Sequence, residues 1–334
     1  MASTHVKCRR GMTLVELLVV VAILGLLSVV VLPNLSNPGD SRKAREAARA
    51  VSGFIANVQS RAIGTRGGAG LWLEPLPNPI VDSAGMQHVV VIDLFAAQIP
   101  EPYAGEAINS TVNVVVSPNG LSAALNFPTN SFQLPPSLLN SQNLSIRFAN
   151  SPALFRLSSM TSNSATAAMD ALRGQTPYST PWPVADINGI GYEVFLPATK
   201  DPTVSLTLGN GMAIDLSWTL LGSLGAPTTS QPSQLLYDAC GQPSSIVRSA
   251  GQSEPMIDSV CLLVAPLEMI QDNTCFTKPG AYWVGVDQQG GVPRVAEVVL
   301  LSGASLDANN RPANPAAVIA SQQYVRQSTF QEGR

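Results

Sequence analysis

The sequence predicts an α+β protein in which a long N-terminal helix, first transmembrane and then amphipathic, packs against a β-rich globular head. Three observations predict this class. An apolar run of nearly membrane length, Leu17–Leu32, lies near the N-terminus. The segment from Ser41 to about Ile63 repeats apolar residues at the spacing of a helix. After Gly64, short apolar runs alternate with Gly- and Pro-rich turns, which is typical of strands.

The apolar run is expected to cross a membrane. With Met12–Glu16 it covers about 20 residues, which matches about 30 Å of hydrocarbon. Its Leu, Val and Ile residues favour insertion by roughly 4 to 8 kcal/mol, and the Glu16 carboxylate opposes it by about 3 kcal/mol at most. Lys7, Arg9 and Arg10 precede the run, and such residues keep their flank in the cytoplasm. We therefore expect a single-pass protein whose head lies on the far side.

The junction between the basic leader and the apolar run carries a motif, Arg9-Arg10-Gly11-Met12-Thr13-Leu14-Val15-Glu16. It resembles the class III signal peptides of type IV pilins and type II secretion pseudopilins. The resemblance implies a pilin-like fold, cleavage by a prepilin peptidase after Gly11, N-methylation of Met12 and a role for Glu16 in filament assembly. Pro33 stands where many members of this family carry a Pro, and a Pro within a helix produces a kink.

Other kinds of N-terminal segment explain less of this pattern. Sec and twin-arginine signals are cut after the apolar run, where Leu32–Leu35 offers no small-residue site. A lipoprotein carries its Cys after the run, whereas Cys8 precedes it. A plain signal anchor explains the charges and the hydrophobicity but neither Gly11 nor Glu16. It remains the alternative, in which the chain is a monomeric, membrane-anchored envelope binding protein.

The amphipathic helix carries one apolar stripe, with basic residues off it. The stripe comprises Ala44, Ala47, Ala48, Val51, Ile55, Val58 and Ala62. The basic residues are Arg42, Lys43, Arg45, Arg49 and Arg61. The stripe is expected to dock on a sheet, and the basic cluster forms either a solvated face or a contact to lipid phosphates.

Turn residues divide the rest of the chain into expected strands. Hairpins are predicted around Gly209-Asn210-Gly211 and around Gln288–Gly291. The Ser-, Asn- and Thr-rich part near 111–183 is expected to be a variable insertion of loops, with a short helix near Ala167–Arg173. A short helix is also predicted at Ala316–Gln327. The expected division is a leader at 1–11, a transmembrane helix at 12–33, an amphipathic helix at 34–64, a periplasmic head at 65–306 and a polar C-terminal tail at 307–334.

The head has a further resemblance, to H-type pseudopilins. Arg61–Gly68 running into Leu71–Glu74 is similar to their passage from helix to first strand, and Leu236–Gly241 and Trp283–Asp287 are similar to their later strands. The middle of the chain has no counterpart in that resemblance.

No pattern of catalytic or cofactor-binding residues is present, so neither an enzyme, a cofactor nor a metal site is predicted. His88 is the only His beyond the leader, and lone histidines are mostly structural or exposed. Asp287–Gly290 lacks the alternating ligands of a calcium loop and is better interpreted as a hairpin turn. Cys240, Cys261 and Cys275 allow one disulfide of unknown pairing with one thiol left over, or three unpaired thiols.

The sequence thus predicts a structural subunit, a pseudopilin or minor pilin, of a type II secretion or type IV pilus system. The resemblance implies as partners the prepilin peptidase, other pilin-like subunits, the inner-membrane assembly platform and membrane lipid. The formal net charge of −3 gives no indication of nucleic-acid binding.

Overall fold

The head combines four helices with eighteen short strands in its described part, so the predicted α+β, β-rich class is confirmed. The computed structural model describes residues 14–15, 17–21, 23, 38–105, 109–128, 144–161, 163–169, 175–177, 179–183, 189–219, 231–248, 253–289 and 292–331. Its helices are α1 (Pro38–Ile63), α2 (Leu267–Gln271), α3 (Pro315–Ser321) and α4 (Gln323–Gln331), with 3₁₀ turns at Leu216–Trp218 and Gly303–Ser305.

The strands are between two and nine residues long. They are β1 (Ala69–Pro75), β2 (Ile80–Val81), β3 (Gln87–His88), β4 (Val90–Gln98), β5 (Thr111–Val116), β6 (Ser122–Asn126), β7 (Ser145–Phe148), β8 (Leu154–Ser158), β9 (Ser164–Ala168), β10 (Ile190–Phe195), β11 (Thr199–Thr207), β12 (Met212–Asp215), β13 (Ser233–Tyr237), β14 (Pro243–Val247), β15 (Ser253–Pro255), β16 (Val260–Pro266), β17 (Tyr282–Val286) and β18 (Arg294–Glu297).

A ten-stranded antiparallel sheet forms the larger part of the head. Its order is β15–β14–β13–β1–β4–β12–β16–β17–β18, and β11 pairs with the same edge of β4 as β12. Both faces of the sheet are covered at β16, so nearly all residues of this strand are buried. The predicted hairpin around Gln288–Gly291 is confirmed by the antiparallel pairing of β17 with β18.

Helix α1 covers one face of this sheet with the stripe that its sequence predicts. Ala44, Ala48, Val51, Ile55, Val58 and Ala62 have no exposed surface, and Ala47 is partly buried beside them. They share a core with Leu71, Val264 and Val284 of the sheet. Gly68 follows the helix with φ of 84°, and a Cβ there would meet the carbonyl of Tyr237, so only glycine fits this turn. Residues 24–37 of the predicted long helix lie outside the described residues.

The opposite face of the sheet carries a second core under the C-terminal segment. Val90, Leu263 and Trp283 of the sheet pack there with Phe276, Val318 and Val325. The segment expected as a polar tail from 307 therefore contains two packed helices, α3 and α4, which bury Ala317, Val318 and Val325. Asn314 caps α3 by accepting a hydrogen bond from the Ala317 backbone N–H at 2.9 Å.

The region near 111–183 is a closed β-barrel rather than the expected loops. Its strands run in the order β10–β5–β6–β9–β8–β7, with Phe148, Phe155 and Leu125 in the interior. The short helix expected near Ala167–Arg173 is wrong over its first residues, since β9 occupies Ser164–Ala168. The Ser- and Thr-rich composition is that of the outer positions of short strands, each of which turns only two or three residues inward.

The hairpin predicted around Gly209-Asn210-Gly211 is also wrong. Both flanking strands are antiparallel to β4 and pair with successive parts of one edge: β11 pairs with residues 93–98, and β12 with residues 90–91. The nine-residue β4 is long enough to accept both. The turn, with Asn210 and Gly211 at positive φ, therefore shifts the chain along the edge instead of reversing it.

Candidate functional site

The residues of the N-terminal motif lie outside the described part of the chain. This holds for Gly11, Met12, Glu16 and Pro33. Their described neighbours between 14 and 23 are helical. Each of the eight apolar ones exposes between 43 and 82 % of its surface, so the head does not cover them. An apolar surface of this kind requires a bilayer or another apolar partner. No helix within the described ranges has the length and hydropathy needed to span a membrane.

The base of the head, where α1 begins, carries charges of both signs. A groove of about 900 Å³ there is lined by Arg42, Arg45 and Lys278 and by Glu268, Asp272 and Glu297. Arg42 pairs with Glu46 at 3.0 Å, and the guanidinium of Arg45 lies 6.0 Å from the centre of the Tyr282 ring. The basic residues of α1 are thus partly balanced by acidic neighbours.

A buried polar cluster lies behind the sheet, around His88. The ring Nδ1 lies 2.7 Å from Asp215 Oδ2, and Nε2 lies 3.2 Å from Asp82 Oδ2. Arg311 Nη2 reaches the same Asp82 carboxylate at 2.8 Å. His88, Asp82 and Asp215 are each at most 5 % exposed. We call these four residues the His88 cluster.

Three segments bring the His88 cluster together, because Asp82 and His88 both belong to the β2–β3 hairpin. Asp82 begins the turn between β2 and β3, where its Oδ1 accepts the backbone N–H groups of Ala84 and Met86. Asp215 ends β12 and accepts from Ser217 N at 2.9 Å. Arg311 lies in the turn 306–312 of the C-terminal segment. The Asp307 side chain stabilises this turn by accepting a hydrogen bond from the backbone N–H of Arg311. These local bonds orient the two carboxylates that face His88.

The environment favours the charged form of His88. Burial lowers the pKa of His88, but the hydrogen bonds and negative charges of Asp215 and Asp82 outweigh burial and raise the pKa above the ordinary 6.5. Burial likewise raises the pKa of Asp82, whereas hydrogen bonds from Met86, Asn273 and His88 lower it to about 2. The two shifts therefore favour a protonated His88 beside an ionised Asp82.

This arrangement leaves His88 unsuited to act as a general base. Both ring nitrogens face carboxylates, so neither is left for a nucleophile. Cys275 lies nearby, but burial raises the pKa of its thiol, so the neutral form persists. The sequence singled out His88 alone. Its partners Asp215 and Arg311 are remote in the chain, and only Asp82, six positions away, lies within local reach.

The three cysteines beyond the leader are free thiols in the structure. Cys240 is exposed, and Cys261 and Cys275 are buried. This corresponds to the alternative with three unpaired thiols. Asp287 accepts a hydrogen bond from Ser259 Oγ at 3.4 Å at the end of β17. Within the described residues there is no group of three or more His, Cys, Asp or Glu placed to hold a metal.

A second groove lies between the outer face of the sheet and the barrel. It has a volume of about 380 Å³ and an apolar lining that includes Trp72 and Leu236 of the sheet and Phe195 and Leu196 at the end of the barrel. Gln234 and Arg248 are among its polar residues. Its position between two units of structure is typical of ligand pockets.

Comparison with known protein families identifies residues 6–32 as a prokaryotic N-terminal methylation motif. The match covers every residue that the sequence assigned to cleavage, methylation and assembly. It indicates a prepilin-like substrate of type IV prepilin peptidase. No curated protein and no solved structure matches the chain. The resemblance of the head to H-type pseudopilins has no support from these comparisons.

Proposed function

We propose that this prepilin-like chain is a pseudopilin or minor pilin, a structural subunit of a type II secretion or type IV pilus system. The observation that carries the proposal is the methylation motif at residues 6–32. In this account prepilin peptidase removes residues 1–11 by cutting after Gly11. Met12 becomes the new N-terminal residue and receives the methyl group.

The mature chain is anchored by residues 12–33 in the inner membrane, with its head in the periplasm or outside the cell. Lys7, Arg9 and Arg10 set this orientation before cleavage. Support comes from the apolar side chains between 14 and 23, which the head leaves uncovered. The same side chains would contact lipid before assembly and neighbouring subunits afterwards.

Assembly is the step for which Glu16 is proposed to be needed. A carboxylate in hydrocarbon is unfavourable unless it is paired. The positive amine of Met12 on a neighbouring subunit would supply that pair and would set the axial register of a helical filament. The assembly platform of the inner membrane and the other subunits are the partners that this step requires.

The position of the barrel favours a minor subunit over a major one. The barrel is inserted between Gln98 of β4 and Thr199 of β11, which are paired neighbours. This junction lies beside the C-terminal end of α1, where Arg61 donates to Asp201 at 3.3 Å. The barrel therefore joins the head at the end of α1 opposite to the anchor. A major subunit would have to place this bulky barrel at every position of a filament. A minor subunit places it at only a few positions, where it is easier to accommodate.

A second candidate function is favoured by the groove between the sheet and the barrel. An apolar groove of about 380 Å³ is large enough for a small ligand or a short peptide segment. In this alternative the chain is a monomeric, membrane-anchored envelope binding protein with a signal anchor. It needs neither cleavage after Gly11 nor Glu16.

Mass spectrometry of the N-terminal peptide separates the two functions. The chain is expressed with prepilin peptidase, and the expected product begins at N-methylated Met12. Replacing Gly11 by Val is expected to block cleavage, because the peptidase must approach the backbone closely at the cut. A Gly11→Ala variant is the matched control, since Ala adds the smallest side chain. An intact N-terminus in the wild type, or a cut after Leu32, would contradict the proposal.

A further inference from the structure

The groove at the base of the head, which we call the base groove, presents exposed charges of both signs. Its cationic residues are Arg42, Arg45 and Lys278, and its acidic residues are Glu268, Asp272 and Glu297. Arg42 pairs with Glu46, whereas the other five side chains form no ion pair within the described part of the chain. The groove therefore offers both cations and carboxylates to a molecule that enters it.

Three parts of the fold hold these charges around one groove. The guanidinium of Arg45 on α1 lies 6.0 Å from the centre of the Tyr282 ring, and Tyr282 is opposite Glu297 in the β17–β18 pair. The segment after α2 packs on the first turns of α1, since a Cβ at Gly280 would lie 3.9 Å from the Ser41 Cα. The cations and the acids thus come from different elements that the core of the head keeps together.

The base groove lies at the end of α1 that leads to the proposed membrane anchor. Nine residues separate Arg42 from Pro33, and nine residues span at most about 32 Å. The other end of the 26-residue α1, beside the barrel, is about 39 Å away along the helix axis. The anchor therefore holds the base groove, rather than the groove beside the barrel, close to lipid headgroups.

We propose that the base groove binds the headgroup of phosphatidylethanolamine, a zwitterionic phospholipid with a primary ammonium group. Arg45 and Lys278 donate to the phosphate, and Glu268 and Glu297 accept from the ammonium. Hydrogen bonds between ionised groups are about twice as strong as those between neutral groups. The inference rests on the membrane anchor of the proposed function, and it needs neither cleavage after Gly11 nor assembly into a filament.

Other common headgroups match only part of this charge pattern. Phosphatidylglycerol supplies a phosphate but no cation, so the three carboxylates of the groove would face a further negative charge. The quaternary ammonium of phosphatidylcholine carries no N–H and cannot donate a hydrogen bond to a carboxylate. A surface with basic residues alone would favour anionic lipid, and the acidic residues of the base groove oppose that preference.

Native mass spectrometry of the full-length chain measures the preference. The chain is reconstituted in nanodiscs with equal parts of phosphatidylethanolamine, phosphatidylglycerol and phosphatidylcholine, and the lipids that it retains on release are counted. We expect retained phosphatidylethanolamine to exceed each of the other two by about tenfold. The chain is measured before and after treatment with prepilin peptidase, since the anchor is present in both forms. The mass of the N-terminal peptide reports cleavage separately, so a failure to cleave leaves the lipid result interpretable.

Two variants at exposed positions assign the preference to the base groove. Lys278→Gln removes a cation and is expected to lower retained phosphatidylethanolamine by about tenfold. Glu297→Gln removes an acid and is expected to shift retention towards phosphatidylglycerol, a change that a purely structural role would not produce. Arg49→Gln is the matched control, because Arg49 is exposed on α1 but does not line the groove, and it should retain lipid as the wild type does.

Equal retention of the three lipids by the wild type, or an excess of phosphatidylglycerol, overturns the proposal. Wild-type retention by Lys278→Gln also overturns it, since the lipid would then be held elsewhere on the chain. If a variant does not fold, the lipid preference of the wild type against that of Arg49→Gln decides the matter.

Discussion

The core between α1 and the sheet combines residues from distant parts of the chain, whereas the core of the barrel comes from one continuous stretch. In the sheet, Ile55 of α1 packs with Val264 and Val284, so segments at opposite ends of the head must meet. In the barrel, the buried Phe155 packs only with residues of one continuous stretch, and its ring stacks on Trp182 at 4.3 Å between centroids. The core of the sheet thus depends on contacts between residues far apart in the chain, and the core of the barrel depends on contacts within one stretch.

The chain enters and leaves the barrel at adjacent points. Gln98 and Thr199 are opposite each other in the β4–β11 pair, so the barrel replaces what would otherwise be a short hairpin loop. An insertion with close ends leaves the host fold intact, because both host strands keep their register. The barrel is therefore an addition to a complete sheet rather than a part of it.

The largest expected effect comes from removing the barrel. Replacing residues 99–198 by a two-residue Asn-Gly turn should leave a chain that still forms the ten-stranded sheet and protects α1, because Asn-Gly suits a tight antiparallel turn. Thermal unfolding and hydrogen exchange of peptides within 38–63 measure this. A Val284→Asp substitution in the full chain, which places a carboxylate in the sheet core, is the destabilising comparison.

If the shortened chain fails to fold while the full chain folds, the barrel is an integral part of the head. The sheet would then not be complete without the barrel. A modest loss of stability does not contradict the account of the barrel as an addition, since Trp72 and Leu236 line the groove beside the barrel and become more exposed without it.

Single truncations within each core should act on that core alone. Ile55→Ala is expected to cost about 2 to 5 kcal/mol and to expose α1, and Phe155→Ala to cost about 3 to 5 kcal/mol and to expose the barrel. Hydrogen exchange resolved by peptide distinguishes the two. Ile63→Ala and Val115→Ala are matched controls, since these side chains are more than half exposed and should change stability little. Loss of protection in both units from either truncation would indicate a shared core.

A smaller effect is expected at the cysteines. Burial raises the pKa of the Cys261 thiol to about 12, and Cys275 is buried as well, so both should resist alkylation in the folded state. Iodoacetamide should modify Cys240 alone in the processed native chain and all three cysteines in denaturant without reductant. Mass spectrometry counts the adducts, and Cys240→Ser should abolish native labelling. Fewer than three adducts in denaturant would show that a disulfide exists.

The sheet half was the more predictable from sequence, because its signals are local and periodic. The spacing from Ala44 to Ala62 is that of a helix with one buried face, and in the structure all residues of that stripe but the partly buried Ala47 have no exposed surface. The β17–β18 pairing follows from two apolar runs around a turn. The alternation of short apolar runs with Gly- and Pro-rich turns also indicated strands after Gly64.

The barrel and the His88 cluster were missed because their determinants are not local. Strands such as Ser145–Phe148 bury only Ile146 and Phe148, too few to show a pattern among Ser and Asn residues. Arg311 and Asp82 are 229 positions apart, so no spacing in the sequence links them. The false hairpin between β11 and β12 has the same cause, since the choice of partner strand depends on the length of β4.

The most direct test of the central claim, that the chain is a subunit of a filament, is in-membrane crosslinking of Glu16→Val. This variant removes a carboxylate that the head does not need, and it eases insertion by up to about 3 kcal/mol. We expect cleavage after Gly11 and membrane fractionation as in the wild type, with loss of crosslinks between neighbouring subunits. Leu18→Val, a change within the same apolar run that keeps the carboxylate, should crosslink normally. Crosslinking of Glu16→Val at the wild-type level would contradict the proposed pairing with the Met12 amine.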